Sequence, residues 1–356
     1  MALPPLPLRE TLSSLPPFRL RVEPRLLHFR KPATTSRGAL KQRTVYYIHA
    51  EAIGGGSAVS HGTGECCVMP GLSKDDSPDL EVRLTAACRA VSSLQALPDD
   101  FLTEAPALRF GLESALLSMK ADSSVLWDTP FIRGETAIPI HHLVWMGNLD
   151  TMRDSLLTGG AGGAACLKCK VGALPFRDEV SLLRDIHALF PHAELRVDAN
   201  GAFSPEEAPA KLEALAKAGV ACIEQPLKPG QWTAMADLIR HAPLPIALDE
   251  ELIAPSTRAE RERMLDALMP SALVIKPSLH GGLVAAEEWA NQAEERHLSW
   301  WCNSALESHV GHSVLAQWCA LRAPGTLQGL GTGQLFADDS PPKIRLQNHH
   351  LYWQSC

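Results

Sequence analysis

From about residue 140 onward, short apolar runs alternate with stretches whose apolar residues recur at helical spacing. HHLVWMG (141–147), AACLKCKV (164–171), ELRVDAN (194–200), VACIEQP (220–226), PIALDE (245–250), ALVIKPS (272–278), LSWWCNS (298–304) and TLQGLG (326–331) read as eight strands. Between two of them, Val180, Leu183, Ile186, Leu189 and Phe190 line one side of a helix that Pro191 stops. Another helix is predicted to begin at Ser204-Pro205-Glu206-Glu207 and to end at Gly219: a capping hydroxyl, proline in the first turn, acids at the positive end, glycine after the last turn. Strands and helices alternating in this way predict a parallel α/β barrel with the helices outside, over about residues 126–334.

Residues 1–125 follow a different pattern. Two strand-like stretches, 17–29 and 42–53, flank the polar segment RKPATTSRGALK, which reads as a flexible loop. A glycine turn (Gly54–Gly56), the segment HGTGECCVMPGLS and two helical stretches near 78–96 and 108–120 follow. Together they predict an α+β unit that caps the barrel mouth, joined by the tail 335–356 packing back as a strand. The prolines of the first twenty residues suggest a mobile or peripheral lead-in. Neither glycine cluster joins a strand to a helix as a phosphate loop does. Gly159–Gly163 reads as a turn at the barrel's inactive end and Gly54–Gly56 as a hairpin turn.

Five charged residues form a nearly even ladder through the strand ends: Lys170, Asp198, Glu224, Asp249 and Lys276, at steps of 28, 26, 25 and 27 residues. In a parallel barrel the C-terminal strand ends converge on one face, where active sites are built. Asp198, Glu224 and Asp249 are hard oxygen ligands of the kind Mg²⁺ takes, with Mn²⁺ as a possible substitute. Singly, each acid could equally serve a surface ion pair or a helix cap.

Lys168 and Lys170 lie two apart on one strand and so face the same way. Two inward ammonium groups are expected to depress each other's pKa, which makes a lysine a usable base. Lys276 faces them from the sixth strand. Asn200, two residues beyond Asp198, can reach the same site. Arg196 either points inward there or forms a salt bridge deeper in the barrel. A divalent cation beside a lysine base suits removal of a proton α to a carboxylate.

Charge and composition narrow the remaining classes. A net charge of −7 without a basic cluster argues against nucleic-acid binding. No apolar run reaches the ~18–20 residues of a membrane span, and the first residues lack the basic and apolar regions of a secretory signal. Nine cysteines without a regular framework read as free thiols, so a cytoplasmic location is expected. Cys166 and Cys169 sit three apart in a strand and point to opposite faces, against a redox or zinc pair.

With Lys168-Cys169-Lys170, Asp198–Asn200, Glu224–Pro226, Asp249-Glu250 and Lys276–Ser278, the chain resembles the muconate-lactonizing subgroup of the enolase superfamily. Within it, PATTSRG (32–38), GTGECCVMPGLS (62–73) and the run Ser304–Ser308 resemble the o-succinylbenzoate synthase family. That resemblance implies a (β/α)7β modified TIM barrel with an N-terminal α+β capping domain. It implies Lys170 as the base that then protonates the leaving hydroxyl, Lys168 as its tuner and Lys276 as the opposing cation. Asp198, Glu224 and Asp249 would hold the metal, and Asn200, Arg196, Glu250, Ser304 and Arg37 would surround a small carboxylate substrate. The reaction implied is dehydration of 2-succinyl-6-hydroxy-2,4-cyclohexadiene-1-carboxylate. The same catalytic set would serve an N-acylamino acid racemase or dipeptide epimerase. A Schiff-base aldolase using Lys276 is a more distant alternative, since it has no need of three clustered acids. Cys302-Asn303, Cys66-Cys67 and the leading twenty residues depart from the family pattern.

Overall fold

Seven of the apolar runs form one curled parallel sheet in the computed structural model, which describes residues 8–35, 38–53, 60–144, 161–340 and 343–354. Its strands are β5 (His142–Val144), β6 (Cys166–Lys170), β7 (Glu194–Asp198), β8 (Cys222–Glu224), β9 (Ile246–Leu248), β10 (Ala272–Ile275) and β11 (Ser299–Cys302), hydrogen-bonded in that order. Strands in such a sheet are covered on both faces, which is why these runs are apolar throughout instead of alternating. The register sets Lys168 beside Arg196, Lys170 beside Asp198, and Asp198 beside Glu224.

The run 326–331, predicted as an eighth strand, makes only single bridges at Gln328 to Ile140 and Gly329 to Asn303. Those bridges nevertheless join the two edges of the curl. The Gly329 amide donates to the Cys302 carbonyl (2.7 Å), and the His141 amide donates to the Gln328 carbonyl (3.1 Å). A side chain at 329 would collide with the Asn303 amide and the His141 ring, so glycine is required where the edges meet.

Helices cover the outside: α4 (Phe176–Leu189), α5 (Ala208–Lys217), α6 (Trp232–His241), α7 (Arg258–Leu268), α8 (Gly282–Glu295) and α9 (His309–Arg322). The α5 start lies later than Ser204-Pro205 predicts, because 205–207 form a turn first. Ser204 still serves that end, its carbonyl accepting from the Ala208 amide (3.0 Å) and its hydroxyl from the Glu207 amide (3.3 Å).

In the N-terminal portion, β1 (Phe18–Thr35) and β2 (Gly38–Ala52) form one long antiparallel hairpin, and β3 (His61–Cys66) adds to β2. The polar segment expected as a loop is therefore largely strand. Its residues pair with each other across the hairpin after a register shift between His28 and Ala33. α2 (Leu80–Leu94) and α3 (Pro106–Ala121) follow. Gly62 and Gly64 let β3 lie directly on the α3 backbone, where a Cβ would strike Met119 N and Gly111 O. The expected mobile lead-in instead contains α1 (Leu8–Ser13), with Leu8 and Leu12 buried. Gly54–Gly56 and the first half of the Gly159–Gly163 cluster lie outside the described residues.

The tail divides. Residues 335–338 run beside β1, with Arg30 N donating to Leu335 O and Ala337 N to His28 O, both at 2.8 Å. The following hairpin of β12 (Ile344–Gln347) and β13 (His350–Trp353) pairs instead with β4 (Ile138–Pro139), the bridge that leads into the parallel sheet. Among the described residues every cysteine is free and buried.

Candidate active site

Strand geometry alone aims the ladder at one point. Inward-facing positions two apart stack along each strand, giving His141 and Leu143, Lys168 and Lys170, Asp198 and Asn200 on successive elements. They surround a cavity of about 200 Å³ whose apolar walls include Leu40, Met69, Leu72, Leu279 and Leu306.

At its floor, the carboxylates of Asp198, Glu224 and Asp249 are buried and offer oxygens all within 4.8 Å of one another. Lys168 Nζ contacts Glu224 Oε2 and lies 3.2 Å from Asp198 Oδ2. Lys170 Nζ lies 3.2 Å from the same Asp198 oxygen and donates to Asn200 Oδ1 (2.5 Å). From the far side, Lys276 Nζ reaches Asp249 Oδ2 at 2.5 Å. Asn200 in turn donates to Glu250 Oε1 (2.8 Å), which brings Glu250 to the rim of the trio.

The electrostatics differ from the expectation of lysines that depress each other. Burial would lower the Lys168 pKa, but the charges of Asp198, Glu224 and Asp249 outweigh it and raise it. Lys276 is raised in the same way, chiefly by Asp249 against its burial. Burial would lift Asp198, yet Lys168, Lys170 and Lys276 together pull it well below the carboxylate range. Burial pushes Glu224 up to about 7 against the pull of Lys168, with repulsion from Asp198 and Asp249 adding to the rise. Glu250 is likewise pushed up to about 7 by burial and by Asp249. Glu224 and Glu250 are thus short of positive charge.

A divalent cation fits that shortage. Glu224 Oε1 and Asp249 Oδ1 are buried without a partner, and so is Glu250 Oε2. Orphaned buried oxygens of this kind are costly, and an oxygen-coordinated hard cation among the three carboxylates would satisfy those of Glu224 and Asp249.

The other predicted residues divide. Ser304 lines the cavity, its hydroxyl donated to Glu307 Oε2 at 2.6 Å. Arg196 is not at the site. It lies below, stacked 4.2 Å from the Trp301 ring and paired at 3.0 Å to Glu194, an exposed carboxylate at the start of β7, so its ion pair forms at the solvent-facing end of the strand. Arg37 lies outside the described residues.

Three residues escaped the sequence reading. Gln225 is fully buried, and its side-chain oxygen accepts from the amides of Asp249 (3.1 Å) and Glu251 (3.2 Å), fixing where Asp249 points. Its place between Glu224 and Pro226 in a strand-end motif was the available signal. His141 and Asn303 line the cavity where the sheet edges meet.

A curled parallel sheet whose strand ends gather three buried carboxylates between lysines on two sides is the arrangement of an α/β enzyme of the enolase type. Residues 153–349 match the family described as Enolase C-terminal domain-like. The o-succinylbenzoate synthase of Desulfotalea psychrophila is 39% identical over 352 residues, covering 89% of this chain and 94% of its own. The crystal structure of MenC from Desulfotalea psychrophila LSv54 has a TM-score of 0.81 and 33% identity, covering 94% of this chain and 99% of that one. The L-Ala-D/L-Glu epimerase of Escherichia coli is 28% identical over 270 residues, 75% of this chain and 79% of its own. The chain belongs to the enolase superfamily and, within it, to the o-succinylbenzoate synthase family.

Proposed function

We propose that the chain is a Mg²⁺-dependent dehydratase that converts 2-succinyl-6-hydroxy-2,4-cyclohexadiene-1-carboxylate to o-succinylbenzoate and water, in the cytoplasm, for menaquinone or phylloquinone synthesis. The observation that carries this reading is the carboxylate trio held between Lys170 and Lys276, together with the extensive likeness to an o-succinylbenzoate synthase. On this reading the curled sheet is a (β/α)7β barrel over residues 126–334, and residues 1–125 with the tail 335–356 form its α+β cap.

Asp198, Glu224 and Asp249 hold the cation, with Mn²⁺ as a substitute. When bound, it supplies positive charge to the substrate carboxylate as the neighbouring carbon loses its proton. Lys170 Nζ removes the α-proton, and the electron pair left behind forms the new ring double bond. The same ammonium then gives its proton to the departing hydroxyl on the same face, so water leaves and Lys170 is neutral again. Lys276 stabilises the developing negative charge from the opposite face, and Lys168 keeps its charge beside Lys170. Asn200 orients Lys170, and the leucine-rich walls exclude water from the ring.

A second reading, α-epimerisation of an N-acylamino acid or dipeptide, draws on the lysines at opposite faces and on the epimerase likeness. Incubation of the purified protein with the cyclohexadiene and Mg²⁺ separates the two. Accumulation of o-succinylbenzoate supports dehydration. Epimerised dipeptide or N-acylamino acid without any o-succinylbenzoate would replace it with the second reading.

A further inference from the structure

One wall of the cavity is held in place from the cap. Residues 304–306 follow β11 and line the cavity. Leu306 adopts φ +66°, a left-handed conformation that a leucine disfavours and that persists only when its surroundings impose it. That conformation turns two successive carbonyls, Ala305 O and Leu306 O, onto one donor. The donor is Arg43 of β2, whose Nη1 lies 2.7 and 2.9 Å from them.

Arg43 is a buried cation with no carboxylate in direct contact among the described residues, and its Nε and Nη2 atoms have no partner. Burying a charge this incompletely paired is unfavourable, so packing alone does not account for it. Cys67 lies within the electrostatic reach of Arg43, Glu65 and Glu307 at once.

Those two carboxylates lock the rest of the loop. Glu307 accepts from Ser278, Ser304 and the Ala305 amide. Glu65 of β3 accepts from the Ser308 amide (2.8 Å), the Ser308 hydroxyl (2.6 Å) and the Gly311 amide (2.7 Å). The Leu306 side chain packs into a small cluster with Leu27, Val45 and Cys67, to which the cavity residues Leu40 and Met69 are attached. The wall of the cavity and the seam between hairpin and sheet are therefore one body.

We propose that Arg43 is a positioning residue for substrate selection. Through the paired carbonyls of Ala305 and Leu306, it fixes how far the Leu306 wall stands from the metal site, and so which substrate side arm fits. It touches neither the lysines nor the carboxylate trio, so it acts on binding and leaves the proton transfer alone. The proposal rests on the dehydratase reading only for the identity of the side arm.

The test compares Arg43→Met, Arg43→Lys and Leu306→Ala, alone and combined, with Mg²⁺ present. Arg43→Met should raise KM for the cyclohexadiene, and Kd for o-succinylbenzoate measured by calorimetry, by about tenfold or more, with kcat within threefold. Arg43→Lys keeps one cation able to serve both carbonyls and should recover most of that loss. Leu306→Ala should raise KM similarly, and the Arg43→Met/Leu306→Ala double variant should be no worse than either alone. A fall in Tm or kcat with KM unchanged, no recovery by lysine, or multiplying effects in the double variant would each overturn the proposal. Should Arg43→Met fail to fold, the lysine and Leu306 variants and their combination decide the matter by the same KM criterion. If the protein instead turns over only N-acylamino acids or dipeptides, the dehydratase reading fails separately, and the same KM-against-kcat comparison is made on that epimerisation.

Discussion

Lys170 and Lys276 stand on opposite sides of one small cavity, so removing either one asks a different question of the same site. Lys170→Ala should lower turnover by ~10²–10⁴, the usual contribution of a positioned base, and abolish α-proton exchange into D₂O. Exchange that survives in Lys170→Ala would move the base to Lys276. The proposed metal ligands are separable from the lysines. Glu224→Gln or Asp249→Asn should weaken Mg²⁺ binding, read by calorimetry, by at least ~100-fold, since the uncompensated oxygens Glu224 Oε1 and Asp249 Oδ1 are those a cation would satisfy. Unchanged affinity in both variants would place the cation elsewhere. Most of these residues are legible from spacing alone, because parallel strands put charged ends two positions apart on one face. Gln225 and His141 are not, since a buried amide or imidazole carries no charge that makes a pattern. Arg196 misleads for the opposite reason: it shares the inward face of Asp198 but sits one layer lower, a difference of depth that strand alternation does not encode.

Elements show where local pattern and tertiary pairing diverge. The polar stretch 30–41 has loop composition, yet it extends β1 and β2 because its two halves find each other as cross-strand partners. The 326–331 run has strand composition, but glycine at 329 and the convergence of both sheet edges leave it with single bridges. The helices and the seven strands were readable because each repeats one short-range pattern; hairpin length and edge closure depend on distant residues.

One helix also predicts a pH effect. Asp75 is fully buried at the start of α3, where it accepts from the Ala107 amide. Burial pushes its carboxyl up to about 7, against the pull of the Ala107 and Leu108 amides. Its folded pKa thus lies above the ordinary value of 3.8, so the native state binds the proton more tightly. The stability this contributes is complete below about pH 4 and is lost as pH rises through about 7. Asp75→Asn should therefore gain Tm relative to the unmodified protein as pH rises from 5 to 8. Glu224 and Glu250 are common to both samples, so their titration cancels from the difference. A difference in Tm that stays constant across that range would refute the assignment.

At the scale of the whole molecule, a cation bound by β7, β8 and β9 would tie three neighbouring strands. A ligand that binds only the folded state stabilises by RT ln(1 + [L]/Kd), about 2.7 kcal/mol at 100 times Kd. Thermal unfolding with Mg²⁺ should accordingly occur several degrees higher than with a chelator, and Asp249→Asn should erase the difference. An equal Mg²⁺ effect in that variant would mean the stabilisation arises at another site.

The pairing of β13 with β4 has a consequence in time. His350 and Pro139 are neighbours in space but 211 residues apart along the chain. A ribosome adding ~5–20 residues per second needs on the order of 10–40 s between them. Throughout that interval β4 has no antiparallel partner, and for most of it the sheet edge at His142–Val144 lacks the neighbouring Gln328 bridge. A nascent chain arrested near residue 320 should therefore expose a sticky edge to holdase chaperones and proteases, whereas one extended past residue 353 should shed them.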